Sequence, residues 1–362
     1  MTEASDTIRE GIIKLVEGKD LTRAEAEMIM SEVMAGNATQ AQIAALLTSL
    51  RMKGETIEEI TAFATVMRRF CSQIHPNTAG ILVDTCGTGG DAVKTFNIST
   101  IAAFVAAGAG ITVAKHGNRS VTSRSGSADV LQALGLNLKM DPAAVVKSIE
   151  KVGIGFMFAP TFHPAMRYAL APRREIGVRT VFNILGPLTN PANAKAQLLG
   201  VYDARLTEPL AHVLSNLGVE RAMVVHGLDG LDEISTMGQT KITRLEYGEI
   251  STSIVCPEDF GMRTVEKGVL EGFTPEKNAL MVYRILKPIG DYGTGKDSLK
   301  SDIVLMNAAA AIYLGDKART MEEGIEIAKE SIRSGSAYKK LRSLIMYSGG
   351  DMTKLEELEK RG

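Results

Sequence analysis

The chain is 362 residues long, with 41 Lys and Arg against 42 Asp and Glu and a formal net charge of −1. That length suggests two domains, and the charge balance leaves no global basic field for nucleic acid or an anionic membrane. The longest weakly polar run, residues 101–114, is 14 long, short of the roughly 20 that a membrane span needs.

The chain opens on Met1-Thr2-Glu3-Ala4-Ser5-Asp6, which is acidic and unlike a signal peptide. Residues 1–73 read as helix only. Apolar residues recur at helical spacing, as in Ile8, Ile12, Leu15 and Val16, then Ile43, Leu46, Leu47 and Leu50. Three capping boxes punctuate the segment: Thr22 with Glu25, Thr39 with Gln42, and Thr56 with Glu59. Gly36 and Gly54 stand where helices would end. Four helices are expected, closed by His75-Pro76-Asn77.

After Gly80 the pattern changes. Short β-rich runs at 81–84, 111–114, 155–158, 197–201 and 222–225 alternate with helical ones near 99–109, 127–136, 142–151 and 205–217. Such alternation predicts an α/β fold, a mostly parallel sheet flanked by helices. Residues 301–347 read as further helices, and 240–300 stay unassigned. The segment at about 163–190 is rich in arginine (Arg167, Arg173, Arg174, Arg179) and carries Pro164 and Pro172. It is read as a second piece of the helical domain. The expected organisation is a small all-helical domain (1–73 plus about 163–190) and a large α/β domain (80–162 and 191–347). Residues 348–362 are expected to form a charged, weakly structured tail. Cys71, Cys86 and Cys256 form no CxxC pair, which argues for a reduced, cytoplasmic protein.

Seven glycines fall within the 44 residues 84–127. Three stand in Gly87-Thr88-Gly89-Gly90-Asp91, after a predicted strand and before a helix. Glycines there let backbone N–H groups approach a phosphate. No lysine follows at Walker A spacing. Gly87-Thr88-Gly89-Gly90-Asp91-Ala92 fits G-x-G-x-x-A formally, but the acidic ribose contact about 20 residues on is replaced by Lys115-His116. A tight turn with no ligand is the plain alternative. Two further strand-end loops favour a polyphosphate. Asn97-Ile98-Ser99-Thr100 places an amide and two hydroxyls at a helix N-terminus. Lys115-His116-Gly117-Asn118-Arg119-Ser120 adds two positive charges, and Ser123 to Ser127 lead into a third helix.

After a later strand comes Asp232-Glu233. Adjacent carboxylates in a loop can face one cation, and magnesium is often held by one or two carboxylates with substrate phosphates. A solvated acidic turn is the alternative. His116, His163 and His226 have no readable partner and receive no acid–base role.

These motifs, with Ser125-Gly126-Ser127 and Gly186-Pro187-Leu188-Thr189-Asn190-Pro191, resemble the anthranilate phosphoribosyltransferase family over roughly residues 5–345. The resemblance implies transfer of phosphoribose from phosphoribosyl pyrophosphate to the amine of anthranilate, in tryptophan biosynthesis. It implies a homodimer through the helical domains, and leaves open a complex with an anthranilate synthase amidotransferase component. On this sequence Gly87, Gly90, Asp91 and Thr95 would form the first donor loop. Asn97, Ser99 and Thr100 would contact pyrophosphate. Lys115, His116, Gly117, Asn118, Arg119, Ser120, Val121, Thr122, Ser123 and Ser127 would complete the donor shell. Ser99, Asp232 and Glu233 would hold magnesium, two ions being expected. Gly87, Asn118 and Arg173 would line the anthranilate side, with Lys115 and Arg173 the catalytic pair. Ala92 departs from the family's usual glycine. A pyrimidine-nucleoside phosphorylase, similar in fold, is disfavoured by the glycine loop and the Asp-Glu pair. A nucleic-acid-binding relative is disfavoured by the net charge.

Overall fold

The computed structural model describes residues 3–90, 93–120, 124–288 and 296–361. Four helices open the chain: α1 (Glu3–Val16), α2 (Arg23–Ala35), α3 (Gln40–Lys53) and α4 (Ile57–Arg69). All three capping boxes form, with Thr22, Thr39 and Thr56 accepting from the N–H groups of Glu25, Gln42 and Glu59. Glu59 does more than cap. Its buried carboxylate also accepts from Leu21 N at 2.9 Å and pairs with Lys53 at 2.9 Å, so one side chain ties three segments of the bundle.

The α/β part begins with β1 (Leu82–Gly87), α5 (Ile98–Gly108), β2 (Thr112–Gly117), α6 (Ser127–Ala133), α7 (Pro142–Val152) and β3 (Ile154–Phe158). Next come α8 (Ala159–Phe162), α9 (Arg167–Ile176), α10 (Phe182–Leu185), β4 (Ala196–Gly200), α11 (Thr207–Asn216) and β5 (Arg221–Gly227). The hairpin β6 (Thr240–Glu246) and β7 (Glu249–Val255) follows, then α12 (Pro275–Leu286), α13 (Lys296–Leu314), α14 (Met321–Arg333), α15 (Ser336–Tyr347) and α16 (Met352–Arg361). The seven strands lie in the order β3-β2-β1-β4-β5-β6-β7. The first five are parallel. The chain steps outward from β1 to β3, then returns across β1 to β4. Open α/β sheets bind ligands at such a switch point, beyond the carboxyl ends of the strands.

Side chains alternate between two apolar clusters, as a strand's period of two requires. Leu198, Met223 and Val225 join the cluster under α5 and α13. Leu199, Ala222 and Val224 join the other, which runs unbroken into Ile29, Leu46, Leu50 and Phe63 of the bundle. The bundle thus covers one sheet face directly, with α4 against α11 and α9 against α2 and α3.

Two expectations change. The unassigned stretch 240–300 contains the antiparallel hairpin β6–β7. Its turn residues Tyr247 and Gly248 have φ of 48° and 95°, the positive pair of a type I′ turn. Tyr-Gly lacks the usual Asn-Gly signature, and β7 is mostly exposed, so neither turn chemistry nor alternation stands out. The tail is also not weakly structured. Residues Met352–Arg361 form α16, which buries Leu355 and Leu358. Glu359 accepts from Tyr338 Oη and pairs with Arg342 at 3.1 Å. The charges are its solvated face; the leucines, three apart, are its anchor. No helix among the described residues is long and apolar enough to cross a membrane.

Leu355 is fully buried, so Leu355→Ala should lower unfolding stability by about 2–5 kcal/mol. A urea midpoint equivalent to less than about 0.5 kcal/mol of change would show a tail that is frayed in solution.

Candidate active site

Four of the five parallel strands end on glycine: Gly87, Gly117, Gly200 and Gly227. Loops from neighbouring strands pass directly over these ends. A Cβ on Gly87 would lie 2.6 Å from Asp232 Oδ2. One on Gly200 would overlap the Asp232 carbonyl, and one on Gly117 the Ser127 hydroxyl. These strand-end glycines form a recognisable set only once the strand boundaries are placed.

Over this floor the glycine loop, the start of α5 and the acidic pair converge. Gly89 and Gly90 have φ of +65° and +76°, the left-handed region where glycine is favoured. Gly89 N donates to Asp232 Oδ2 at 2.9 Å, and Ser99 N donates to Glu233 Oε1 at 3.1 Å. The two carboxylates therefore reach different elements, β1's loop and the N-terminus of α5, where negative charge is favoured. The other first-turn N–H groups of α5 bond locally: Thr100 N to Asn97 O, and Ile98 N to Phe96 O. They are not free as the sequence suggested.

Lys115 is buried at the end of β2, 3% exposed. Its Nζ donates to Thr85 O at 2.5 Å and lies 3.5 Å from Ser99 Oγ. Burial pushes its pKa down, while the nearby Asp84 and Glu233 push it back up. Asp84, fully buried beneath, is pushed up by burial and held back chiefly by Lys115. Its Oδ1 accepts from His116 N at 3.2 Å. Sequence reasoning missed Asp84 as a site residue. An aspartate in the apolar run Leu82-Val83-Asp84 was the signal that it serves a buried cation.

The remaining candidates are distributed as follows. Asn97 donates to Ser125 O at 3.1 Å and accepts from Asn278 at 3.1 Å, so it staples loops together. Thr95 bridges to Glu271. Thr100 is buried, and its hydroxyl has no partner among the described residues. Asn118 is exposed at the rim, and its Oδ1 accepts from Arg119 N at 2.7 Å. Ser120 N donates to Asp129, and Ser127 Oγ donates to Asn118 O at 3.4 Å. Asp91, Val121, Thr122 and Ser123 lie outside the described residues.

The expected basic cluster does not face the acidic pair as a unit. The Arg119 guanidinium donates to Asp129 and Gln132, both at 2.8 Å, and Arg124 donates to Gly272 O at 3.3 Å. Asp129 neutralises Arg119 because α6 places it beside the loop it caps. Lys115 is the cation that senses Glu233. His116 and His163 lie against each other, ring centroids 5.0 Å apart and planes tilted by 45°. Burial drives His163 down to about 4 and His116 well below its usual range, so both are neutral at pH 7. Arg173 lies over the Phe182 ring at 5.1 Å and makes no ion pair with any described residue. Arg179, not singled out from sequence, donates to Gly90 O at 2.5 Å and covers Tyr202.

The hard oxygen donors Asp232, Glu233 and Ser99 suit magnesium in type. An oxygen-rich crevice at the switch point of an α/β sheet, with a helical bundle packed on one sheet face, is the plan of a two-domain glycosyl transferase. Residues 9–71 match the helical bundle domain of a glycosyl transferase family, and residues 79–338 match its a/b domain. An anthranilate phosphoribosyltransferase of Acetivibrio thermocellus is 51% identical over 341 residues, 94% of this chain and 96% of that protein. The crystal structure of the Thermus thermophilus enzyme has a TM-score of 0.86 at 40% identity, covering 94% of this chain and 99% of that one. The Saccharomyces cerevisiae enzyme in complex with PRPP (phosphoribosyl pyrophosphate) and Mg has a TM-score of 0.87 at 29% identity, covering 96% and 99%. The same yeast enzyme has been solved with 4-fluoroanthranilate. The chain belongs to the anthranilate phosphoribosyltransferase family.

Gly87→Ala should displace the Asp232 carboxylate. The magnesium concentration for half-maximal turnover should rise by about tenfold or more, the usual effect of disturbing a metal ligand's support. An unchanged magnesium titration would show that the close approach is incidental.

Proposed function

We propose that this chain transfers the phosphoribosyl group of phosphoribosyl pyrophosphate to the amine of anthranilate, giving N-(5-phosphoribosyl)anthranilate and pyrophosphate in tryptophan biosynthesis. The observation that carries this reading is the meeting of Gly89, Ser99, Lys115 and the Asp232–Glu233 pair at one point of the sheet. The bond from ribose C1 to the pyrophosphate oxygen breaks, a bond from C1 to the anthranilate nitrogen forms, and the amine gives up a proton. The acceptor brings its own nucleophile, so the protein supplies leaving-group stabilisation and alignment. Alignment of two substrates is worth roughly 7–11 kcal/mol of barrier.

Asp232, Glu233 and the Ser99 hydroxyl would hold magnesium, two ions in this reading. Bound there, magnesium neutralises charge developing on pyrophosphate. The buried Lys115 ammonium adds a fixed positive charge in a dry setting, where it acts more strongly than in water. Gly87, Gly90, Asp91, Thr95, Asn97 and Thr100 line the donor side in this reading, with the 115–123 loop and Ser127. Arg173 orients the acceptor. Its guanidinium is backed by Phe182 and has no carboxylate partner among the described residues, leaving its fork for the anthranilate carboxylate. Gly87 and Asn118 complete that side. The neutral His116–His163 pair adds no charge that would compete for it.

A cytoplasmic homodimer belongs to the same proposal. Ile13, Val16, Met52 and Leu170 are 50%, 72%, 84% and 54% exposed on α1, α3 and α9, of which α3 packs against the other two. Covering such apolar surface favours association of two copies.

Incubation with phosphoribosyl pyrophosphate, magnesium and anthranilate should quench anthranilate fluorescence as product forms; persistent fluorescence would end the proposal. Asp232→Asn with Glu233→Gln should abolish turnover at ordinary magnesium, and an unchanged kcat would sink the metal assignment. Arg173→Ala should raise the KM for anthranilate while sparing that for the donor. An unmoved anthranilate KM would assign the carboxylate to another residue.

A further inference from the structure

A second polar cleft, of about 350 Å³, lies at the junction of the bundle and the sheet, lined by residues including Arg23, Arg68, Arg69, His75, Asn190 and Asn193. Asn193 stands just before β4, and another lining residue, Leu217, just before β5. The cleft therefore sits at the amino ends of these strands. The proposed donor site lies at their carboxyl ends, about 16 Å away across a five-residue strand.

Three guanidiniums gather here, and two of them share one carboxylate. Glu27 pairs with Arg23 at 3.3 Å and with Arg69 at 2.5 Å. Arg68 makes no ion pair with any described residue. Its Nε donates to Leu188 O at 2.8 Å, and its Nη1 donates to Asn193 Oδ1 at 3.0 Å and Leu217 O at 3.1 Å. These bonds fix the guanidinium plane, while Nη2 donates to no described residue. Burial lowers the Arg68 pKa to about 10, which leaves it cationic at neutral pH. The adjacent Cys71 thiol is pushed up to about 11 by burial, so it stays uncharged and does not balance the charge. A largely buried cation without a counter-charge is costly unless an anion supplies one.

We propose that this cleft binds a small oxyanion, a phosphate or carboxylate group, on the free Nη2 edge of Arg68, with Arg23 and Arg69 at the rim. A fixed guanidinium edge matches either group, and the volume suits a metabolite-sized ligand. The site also gives a role to the Gly186–Pro191 segment beyond linking elements. Asn190 lines the cleft, and its Nδ2 donates to Ala114 O at 2.9 Å, one residue before Lys115.

Calorimetric titration of the full chain with inorganic phosphate, and separately with malonate, tests this while saturating phosphoribosyl pyrophosphate and magnesium fill the donor site. At least one anion should still bind. Its affinity should fall about tenfold in Arg68→Lys, which keeps the charge but loses the fork, and in Arg23→Gln with Arg69→Gln. Binding of phosphate alone would identify a phosphate ligand, and of malonate alone a carboxylate. The doubly substituted variant alters exposed side chains, so cooperative thermal unfolding should persist and the test holds even if Arg68→Lys fails to fold. No heat from either anion, or equal affinities in wild type and the doubly substituted variant, would overturn the proposal. The titration does not depend on phosphoribosyl transfer, so its failure is distinct from failure of the fluorescence assay.

Discussion

The loop that carries Asp232 can cross the end of the sheet only because β1 and β4 finish without side chains. At Gly200 a single added carbon would occupy the space of the Asp232 carbonyl, and at Gly87 it would press on the Asp232 carboxylate. Everything polar at the site follows from that close approach. It sets Asp232 within a hydrogen bond of Gly89, and the next residue, Glu233, within one of Ser99. The β1 and β5 loops would otherwise be held a side chain apart, and two carboxylates at that distance could not share a cation with a hydroxyl of α5.

The buried charges are arranged with similar economy. Lys115 and Asp84 lie under the same strand ends, each shifted by burial toward its neutral form and each pushed back toward its charged form by the other. Neither charge would be stable alone in this interior. The carboxylate beneath offsets part of the cost of burying the Lys115 ammonium beside Ser99. The neighbouring His116 and His163 show the complementary outcome: with no carboxylate raising the pKa of either ring, burial makes them neutral.

What could be read from the sequence was what depends on near neighbours in the chain. The capping boxes of Thr22, Thr39 and Thr56 are three-residue events and formed as expected. The parallel sheet followed from strand–helix alternation, and the loops at its carboxyl ends from the glycines and Asp232-Glu233. Pairings fixed only by tertiary packing could not be read. The ion pair of Arg119 with Asp129 depends on where α6 lies. The Asn97 amide is likewise held by Ser125 and Asn278, the latter 181 residues away. The tail misled for a different reason. In a short amphipathic helix the charges outnumber the anchors, so composition suggested disorder where Leu355 and Leu358 fix the helix to the core.

The geometry also bears on why donor and metal should act together. The Gly89 and Ser99 N–H groups that an incoming diphosphate would seek are already bonded to carboxylates. An anion arriving alone meets two negative charges and no free donors at those positions. A divalent cation held by Asp232 and Glu233, as proposed, would offset their negative charge at this point. In the proposed reading the acidic pair would disfavour a bare anion as well as hold the metal.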